Sequence, residues 1–528
     1  MHRQIAPVLL IVLSASMLPA QAPVRSTAAP PARFTDSSRV ERLRSTFEAI
    51  DREFREYAEQ QHIPGAAWGI VIDDRLAHVG VSGYRDIASR SAVDSGTIFR
   101  IASMTKSFTA MAILRLRDEG KLALDDPAER WVPELAGLTY PTSDSPRLTI
   151  RHLLSHNTGF PEDNPWGDQQ LAVTDADMDA MMRAGIPFSN APGVAYEYSN
   201  YGFAILGRVV TRASGMPYRR YIAEQILQPL GMTSTTLEPA SVPGSRVAQG
   251  YRWEDETWKL EPQLPDGAFG SMGGMLTSMH DLGIYVGAFL GAWPPHDGAE
   301  AYPVRRASLR EMQQIHTPRP ASIGRDANGD IQLSSGGYGF GLGIAGNCDF
   351  AHIVSHTGGL PGFGSIMLWL PEYGVGIMAF GNRTYTGWRG PTMRALELMQ
   401  ETGALQPREP QPSPTLVTRR DEVTRLVLDW DDALASRIAA VNLFLDRSSD
   451  RRRSEIATLL REVGPCRAGA GWDEVENALR GSWTLPCERG ALRVAITLAP
   501  TTPPTVQYLQ VSRGVTRDTP VRRGRCTP

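Results

Sequence analysis

Apolar positions near the start of this chain follow first a helical rhythm and then a strand-like one. Apolar residues recur at three- and four-residue steps between residues 40 and 57, which predicts an amphipathic helix. Residues 66–72 and 76–83, separated by the turn Asp73-Asp74, predict a β-hairpin. This part of the chain is therefore expected to fold as a helix followed by two antiparallel strands.

Similar elements return in reverse order further along the chain. Residues 362–370 and 374–381 predict a second hairpin, and a helix is predicted over about residues 391–401. Between the two ends, residues 148–395 alternate helical segments with Gly- and Pro-rich loops. We therefore expect an α+β fold in which both ends build one antiparallel sheet flanked by helices. The middle of the chain would be inserted as a helical region, with a cleft at the junction.

Length and composition divide the chain into two globular parts. At 528 residues it exceeds what one hydrophobic core usually organises. We expect a main domain over residues 38–402, a Pro-rich linker over 403–417 and a small accessory α+β domain over 418–528. The accessory part carries no nucleophile and base at a catalytic spacing, so association, substrate steering or stabilisation is its expected role.

The N-terminus has the pattern of a secretory signal. A basic residue, Arg3, precedes an apolar run and an Ala-Gln-Ala site that ends at Ala22. We expect a signal peptide over residues 1–22, followed by a flexible leader over 23–37. The apolar run is short for a membrane span, and an uncleaved anchor is the alternative. The predicted protein is exported, periplasmic or secreted, with no stable membrane insertion after signal cleavage.

The cysteines suit an exported protein, because that compartment permits disulfides. Besides Cys348, the chain has Cys466, Cys487 and Cys526, all near the C-terminus. We expect a bridge such as Cys466 to Cys487, although connectivity does not follow from sequence.

Charge and histidine spacing narrow the classes of partner. A formal net charge of −3 and a pI near 6.4 give no electrostatic footprint for nucleic acid or an anionic membrane. His152 and His156 are four residues apart, but no Glu lies between them and no third metal ligand is evident. No metal or organic cofactor is implied. A small-molecule, peptide or ester substrate is the expected partner, and the oligomeric state is left open.

The most specific chemical signal is a serine followed three residues later by a lysine, where an apolar helix begins. Ser103 and Lys106 would lie on one face of that helix, so that the amine can reach the hydroxyl. Burial at a helix N-terminus lowers the pKa of an amine and lets it act as a base, which arginine cannot do. Only three of the 54 Lys and Arg residues are lysine. We interpret Ser103 as a nucleophile and Lys106 as the group that removes its proton; a surface lysine in a first helical turn is the alternative.

Two further motifs raise the specificity of this signal. Tyr-Ser-Asn at residues 198–200 lies in a loop that runs into an apolar helix. His-Thr-Gly-Gly at residues 356–359 follows a strand-like run and precedes the second hairpin. Each is weak alone, because a polar loop and a strand end would explain them, but the order S-x-x-K, Y-S-N, H-T-G at wide spacing is strong.

With these three motifs the chain resembles the serine hydrolases of the penicillin-binding type. The likeness is strongest to the branch that contains class C β-lactamases, serine D-peptidases and related esterases, and it covers about residues 38–402. It implies the β-lactamase/transpeptidase-like fold for the main domain.

The resemblance also implies a role for each motif residue. Ser103 would form an acyl-enzyme, while Lys106 and the Tyr198 phenol share the proton transfers. Asn200 would hold the substrate amide or support the lysine amine. Backbone N–H groups of Ser103 and Gly359 would form the oxyanion hole.

One position departs from the pattern of that branch. His356 stands where its β-lactamases carry a lysine, and a histidine is mostly neutral at pH 7. It is therefore a poorer anchor for a β-lactam carboxylate, unless it only satisfies a hydrogen bond at the strand end. We expect an exported serine hydrolase that cleaves an amide or ester as a peptidase or esterase does. A true β-lactamase and a non-hydrolytic protein that binds penicillin or a cell-wall fragment are the alternatives, and acyl transfer is not separable from hydrolysis.

Overall fold

A computed structural model describes residues 29–325, 329, 331–469 and 471–514. The predicted signal peptide, the first residues of the leader and Cys526 lie outside the described residues.

The strands are numbered in chain order. They are β1 Gly65–Ile72, β2 Arg75–Asp86, β3 Ser91–Ala92, β4 Ile98–Arg100, β5 Tyr251–Glu254, β6 Thr257–Leu260, β7 Leu276–Ser278, β8 Thr317–Arg325, β9 Ile331–Tyr338, β10 Gly343–Asn347, β11 Ile353–Leu360, β12 Phe363–Leu370, β13 Val375–Gly381, β14 Glu474–Asn477, β15 Arg480–Cys487, β16 Gly490–Leu498 and β17 Val506–Gly514.

The α-helices are numbered in the same way. They are α1 Arg39–Arg44, α2 Phe47–Gln60, α3 Thr105–Asp118, α4 Ala128–Trp131, α5 Ile150–Leu154, α6 Asn164–Gly167, α7 Asp175–Ala184, α8 Asn200–Ser214, α9 Tyr218–Tyr221, α10 Gln228–Leu230, α11 Gly270–Gly273, α12 Met279–Gly291, α13 Arg306–Met312, α14 Arg389–Glu401, α15 Pro414–Leu428, α16 Asp432–Ile438, α17 Leu443–Asp446 and α18 Ser449–Val463.

The main sheet joins the two ends of the main domain, as predicted. Its nine strands lie in the order β3-β2-β1-β13-β12-β11-β10-β9-β8, and neighbours pair antiparallel. At its centre β1 pairs with β13, so that Ala66 lies opposite Gly381 and Ile72 opposite Val375. The predicted antiparallel α+β fold is confirmed.

Both faces of the central strands are buried, and successive residues of β1 alternate between two cores. Trp68 and Ile70 face the core beneath α2 and α14. Ala67 and Val71 face the core shared with α12 and the helical region. A strand covered on both sides needs apolar residues at every position, which explains the continuous apolar run of β1.

Two differences from the sequence prediction concern the N-terminal helix and the main sheet. The N-terminal helix is divided into α1 and α2 at Ser45 and Thr46, where the Thr46 hydroxyl donates to the Leu43 carbonyl oxygen at 2.7 Å. The hairpin β8–β9 was not predicted. Its first strand is an exposed edge strand that contains Pro318 and Pro320, a position in a sheet that tolerates proline.

The C-terminal part has its own core and confirms the predicted small α+β domain. The antiparallel sheet β14–β17 packs with α15–α18 around residues such as Trp483. A disulfide joins Cys466 to Cys487, as expected.

Parts of the predicted leader and linker lie against the main domain. The Phe34 ring is sandwiched between the guanidinium groups of Arg39 and Arg408, at 3.7 and 4.4 Å from its centre. Arg33 and Glu409 pair through their backbones, so the two segments also contact each other. Among the described residues, no helix is both long and apolar enough to cross a membrane.

Candidate active site

Ser103 lies at the start of a helix of the main domain that is buried along most of its length. It occupies a single 3₁₀ turn, Ala102–Met104, that leads directly into α3, and its side chain is buried. Ala102 has a positive φ of 48°, a backbone conformation that residues other than glycine rarely adopt. Such strain is often found at functional sites, and here it immediately precedes the candidate nucleophile.

The Lys106 amine is the centre of the hydrogen-bond network. Its Nζ lies 3.0 Å from Ser103 Oγ, 2.6 Å from Asn200 Oδ1 and 2.8 Å from the Met272 carbonyl oxygen. Complete burial lowers the pKa of this lysine from 10.5 to about 7, although the charges of Asp168 and Asp163 oppose the shift. The amine is therefore poised to gain or lose a proton near neutral pH.

Asn200 begins α8 and reaches the lysine from the neighbouring helix. Its backbone N–H donates to Asp163 Oδ1 at 2.6 Å, and that of Tyr201 donates to Asp163 Oδ2 at 2.8 Å. The carboxylate thus satisfies free N–H groups at the helix N-terminus. The Asn200 side-chain amide donates from Nδ2 to Asn164 Oδ1 at 3.3 Å, which leaves its Oδ1 directed at Lys106.

Tyr198 lies beside the same amine. The Lys106 Nζ is 4.9 Å from the centre of its ring. Burial raises the pKa of Tyr198 well above 10, and the interaction with the Ser103 side chain acts in the opposite direction. The tyrosine is therefore a neutral phenol next to the serine hydroxyl.

His156 packs against Tyr198. His152 and His156 are not arranged as ligands of one metal ion. Its Nδ1 accepts the Ser199 backbone N–H at 3.1 Å, and its ring centre is 4.3 Å from that of Tyr198. Its backbone is also in the left-handed region, at φ 53°. His152 instead caps α5, where its Nδ1 accepts the Thr149 backbone N–H.

His356 lies on strand β11. Its Nδ1 lies 2.6 Å from the Thr357 carbonyl oxygen, so this nitrogen carries the proton and donates. Its Nε2, 2.9 Å from Tyr338 Oη, then accepts from the phenol. Burial and the nearby Lys106 charge lower the pKa of His356 to about 3, so the ring is neutral.

Gly359 lies on a stretch of β11 that is paired on one side. Among the described residues, β10 pairs with β11 only as far as Ser355, while β12 pairs along to Leu360. A Cβ atom at Gly359 would lie 2.7 Å from Tyr385 Cδ1, so that ring packs directly over the glycine. The strand and the turn that carries Ser103 are in contact.

Four side chains at the site were not singled out from the sequence: Asp163, Asp168, Tyr338 and Tyr385. Asp163 and Asp168 flank the short helix α6, and a carboxylate before a helix is an ordinary capping signal. Tyr338 and Tyr385 are single aromatic residues whose role depends on a distant partner, so no local spacing marks them.

No group of three or more His, Cys, Asp and Glu side chains suited to a metal ion occurs within the described ranges.

Comparison with known proteins shows the family of this chain. The family model described as Beta-lactamase matches residues 50–400. The chain therefore belongs to the Beta-lactamase family, the penicillin-binding-type serine hydrolases, and so to a superfamily of serine hydrolases and acyltransferases.

Particular relatives narrow the comparison. Penicillin-binding protein 4* of Bacillus subtilis (strain 168) is 27% identical over 330 residues, which are 60% of this chain and 67% of that protein. Protein flp of Staphylococcus aureus (strain N315) is 30% identical over 340 residues, covering 63% of this chain and 62% of that one. The matched region thus spans about two thirds or less of these relatives.

A solved structure supports the fold over a longer range. The octameric penicillin-binding protein homologue from Pyrococcus abyssi aligns with 88% of this chain and 91% of its own, with a TM-score of 0.55 and 22% identity. At that identity the likeness establishes the fold.

Proposed function

We propose that this chain is an exported serine hydrolase that cleaves an amide or ester bond through an acyl-enzyme on Ser103. Family membership supports the reaction class. The observation that carries the proposal is the buried Lys106 amine, 3.0 Å from Ser103 Oγ and with a pKa of about 7. Export rests on the sequence of residues 1–22.

The partners of Lys106 orient its lone pair. A neutral amine has two N–H donors and one lone pair. Asn200 Oδ1 and the Met272 carbonyl oxygen are pure acceptors at 2.6 and 2.8 Å, and they take the two donors. The lone pair then faces Ser103 Oγ, so the serine hydroxyl can donate to it.

Acylation follows from that orientation. As Ser103 Oγ attacks the carbonyl carbon, its proton passes to Lys106 Nζ and the carbonyl oxygen becomes an oxyanion. Collapse of the tetrahedral intermediate expels an amine or alcohol, which takes that proton by way of the Tyr198 hydroxyl. Water then attacks the acyl-enzyme with the same groups acting in reverse. Because its pKa is raised, Tyr198 serves as a neutral conduit and Lys106 as the base.

The oxyanion needs two donors aimed at one oxygen. Backbone N–H groups of Ser103 and Gly359 are the proposed pair, one at a helix start and one on the open stretch of β11. Glycine at 359 leaves room for the Tyr385 ring, which covers this part of the cleft.

The neutral state of His356 supports peptides or simple esters as substrates, in preference to β-lactams. Both ring nitrogens are engaged, by Thr357 and Tyr338. The ring therefore offers neither a positive charge nor a spare N–H to a substrate carboxylate.

Labelling with a fluorophosphonate probe tests the proposal. We expect the wild-type chain to gain one adduct at Ser103 and Ser103→Ala to gain none; equal labelling of both would contradict it. Steady-state turnover of short-chain esters and D-amino-acid amides separates a hydrolase from a binding protein. Nitrocefin turnover at a comparable rate would favour a β-lactamase, and product analysis with added amine acceptors would reveal acyl transfer.

A further inference from the structure

A buried carboxylate next to the catalytic lysine has one oxygen without a partner. Asp168 is only 2% exposed. Its Oδ2 accepts the Tyr385 hydroxyl at 3.1 Å, whereas its Oδ1 has no hydrogen-bond partner among the described residues. Buried polar oxygens are nearly always hydrogen-bonded, so an unpaired one is able to accept a hydrogen bond from a ligand.

Asp168 belongs to the wall of the active site. The preceding residue, Gly167, packs against Asn200, since a Cβ at Gly167 would lie 2.6 Å from Asn200 Cβ. On the other side, Tyr385 reaches from Asp168 to the backbone of Gly359. The Asp168–Tyr385 pair therefore links the segment beside Asn200, which contacts Lys106, to Gly359, which is proposed to bind the oxyanion.

The charges around this pair are negative except for the catalytic lysine. Those that act on Asp168 are Lys106, Asp163 and Glu162, and Glu261 also acts on Tyr385. None of them is an arginine that would neutralise the carboxylate permanently. A cationic group of a substrate would be attracted here, and an anionic one repelled.

Tyr385 is the accessible member of the pair. Its side chain is 51% exposed, and its φ of 52° holds the residue in a conformation that is unusual outside glycine. The exposed ring next to Asp168 has a face that can bind an ammonium group.

We propose that Asp168 and Tyr385 form a subsite for an ammonium group next to the scissile carbonyl, so that the preferred substrates are amides or esters of compounds with a free amine. The inference rests on the proposed function of Ser103. An ammonium donates a charge-assisted hydrogen bond to Asp168 Oδ1, and the tyrosine ring covers it.

Matched anilide substrates test the inference on the full chain at pH 7. The set consists of D- and L-alanine p-nitroanilide, their N-acetyl forms, and propanoyl p-nitroanilide, in which hydrogen replaces the amine. We expect wild-type kcat/KM to favour the free amine at least about tenfold, the range for a hydrogen bond between charged groups. Asp168→Asn should abolish that preference, and Tyr385→Phe should preserve or increase it, because it frees Oδ2.

Asp144→Asn is the matched control, since it makes the same substitution at an exposed position. It should change the preference by less than about twofold, as expected for a screened surface charge. The ratio of two substrates cancels any shared effect of Asp168→Asn on folding or on Lys106. An equal fall for both substrates would therefore overturn the subsite and make Asp168 a counter-ion of Lys106.

Other outcomes separate the subsite from the catalytic proposal. Fluorophosphonate labelling of Ser103 with no preference for the free amine, or with no cleavage of the free-amine anilides, overturns the subsite alone. Absence of both labelling and cleavage overturns the function proposed for Ser103 and the subsite with it.

Discussion

Lys106 and His356 lie in the same candidate site, and burial acts on both in the same direction. It lowers the pKa of the lysine from 10.5 to about 7 and that of the histidine from 6.5 to about 3. The two shifts are similar, but the reference values differ, so only the lysine can exchange a proton near neutrality. The histidine is fixed as a neutral hydrogen-bonding group.

The partners of the two groups sharpen this contrast. Lys106 has two acceptors and faces Ser103, so in the proposed mechanism its lone pair is directed at the serine hydroxyl. His356 donates to Thr357 and accepts from Tyr338, so both of its nitrogens are occupied. A buried lysine can therefore serve as the base at pH 7, while the histidine in the same site only forms structural hydrogen bonds.

Replacing the lysine with a permanent cation should have the largest effect. Lys106→Arg keeps the charge but cannot lose a proton, so we expect kcat/KM for a short-chain ester to fall about a thousandfold. Lys121→Arg, at an exposed lysine, is the matched control and should leave turnover unchanged. A general base usually contributes at least about a hundredfold to the rate. Retention of more than about a tenth of the wild-type rate would therefore contradict the role of Lys106.

Removing the phenol hydroxyl beside the serine should have the next largest effect. Tyr198→Phe deletes the proposed proton conduit and keeps the ring, so we expect kcat to fall about a hundredfold with little change in KM. The neighbouring Tyr196→Phe should change kcat less than about threefold, because the Tyr196 hydroxyl has no part in the proposed proton transfer. A similar loss in both variants would point to packing of the loop instead of proton transfer.

The low pKa of Lys106 should also appear in stability. The folded state disfavours the protonated amine, so burying this charge costs free energy of folding. The cost is full below the folded pKa of about 7 and vanishes above the unfolded value of 10.5. The stability of Lys106→Met relative to wild type should therefore be greater at low pH than at high pH. We expect the difference in unfolding free energy to change by about 5 kcal/mol across that window.

Urea unfolding of both chains at several pH values between those limits measures this change. Lys121→Met removes an exposed lysine and supplies the control. A pH-independent difference between wild type and Lys106→Met would show that the lysine is not desolvated.

Changing the histidine should have the smallest effect on the pH profile. His356→Gln keeps a side chain able to hydrogen-bond with Tyr338, and we expect kcat/KM to fall only a few-fold, as for one neutral hydrogen bond. The apparent pKa of the rate should stay near that of Lys106, about 7. Loss of that ionisation in the His356→Gln variant would show that His356, and not Lys106, is the group that ionises near pH 7.

Much of the fold followed from sequence because it depends on repeating patterns. The two end hairpins carry continuous apolar runs, and these pair at the centre of the sheet as predicted. Hairpin β8–β9 was missed because an exposed edge strand need not be apolar, and Pro318 and Pro320 argue against a strand.

The candidate site divides in the same way. Ser103 and Lys106 could be paired from their spacing, because three residues of helix bring them together. Asp168 and Tyr385 are 217 residues apart and meet only because the sheet and the helical region close on each other. No local pattern encodes such a contact, and the pKa of a buried group likewise depends on what folds around it.

The pH dependence of Ser103 acylation tests the central claim most directly. The rate of fluorophosphonate labelling should rise with pH through an apparent pKa of about 7, as Lys106 loses its proton, and Lys106→Arg should remove that rise. A rate that does not change with pH across this range, or that rises only near the ordinary pKa of a tyrosine, about 10, would contradict a lysine base.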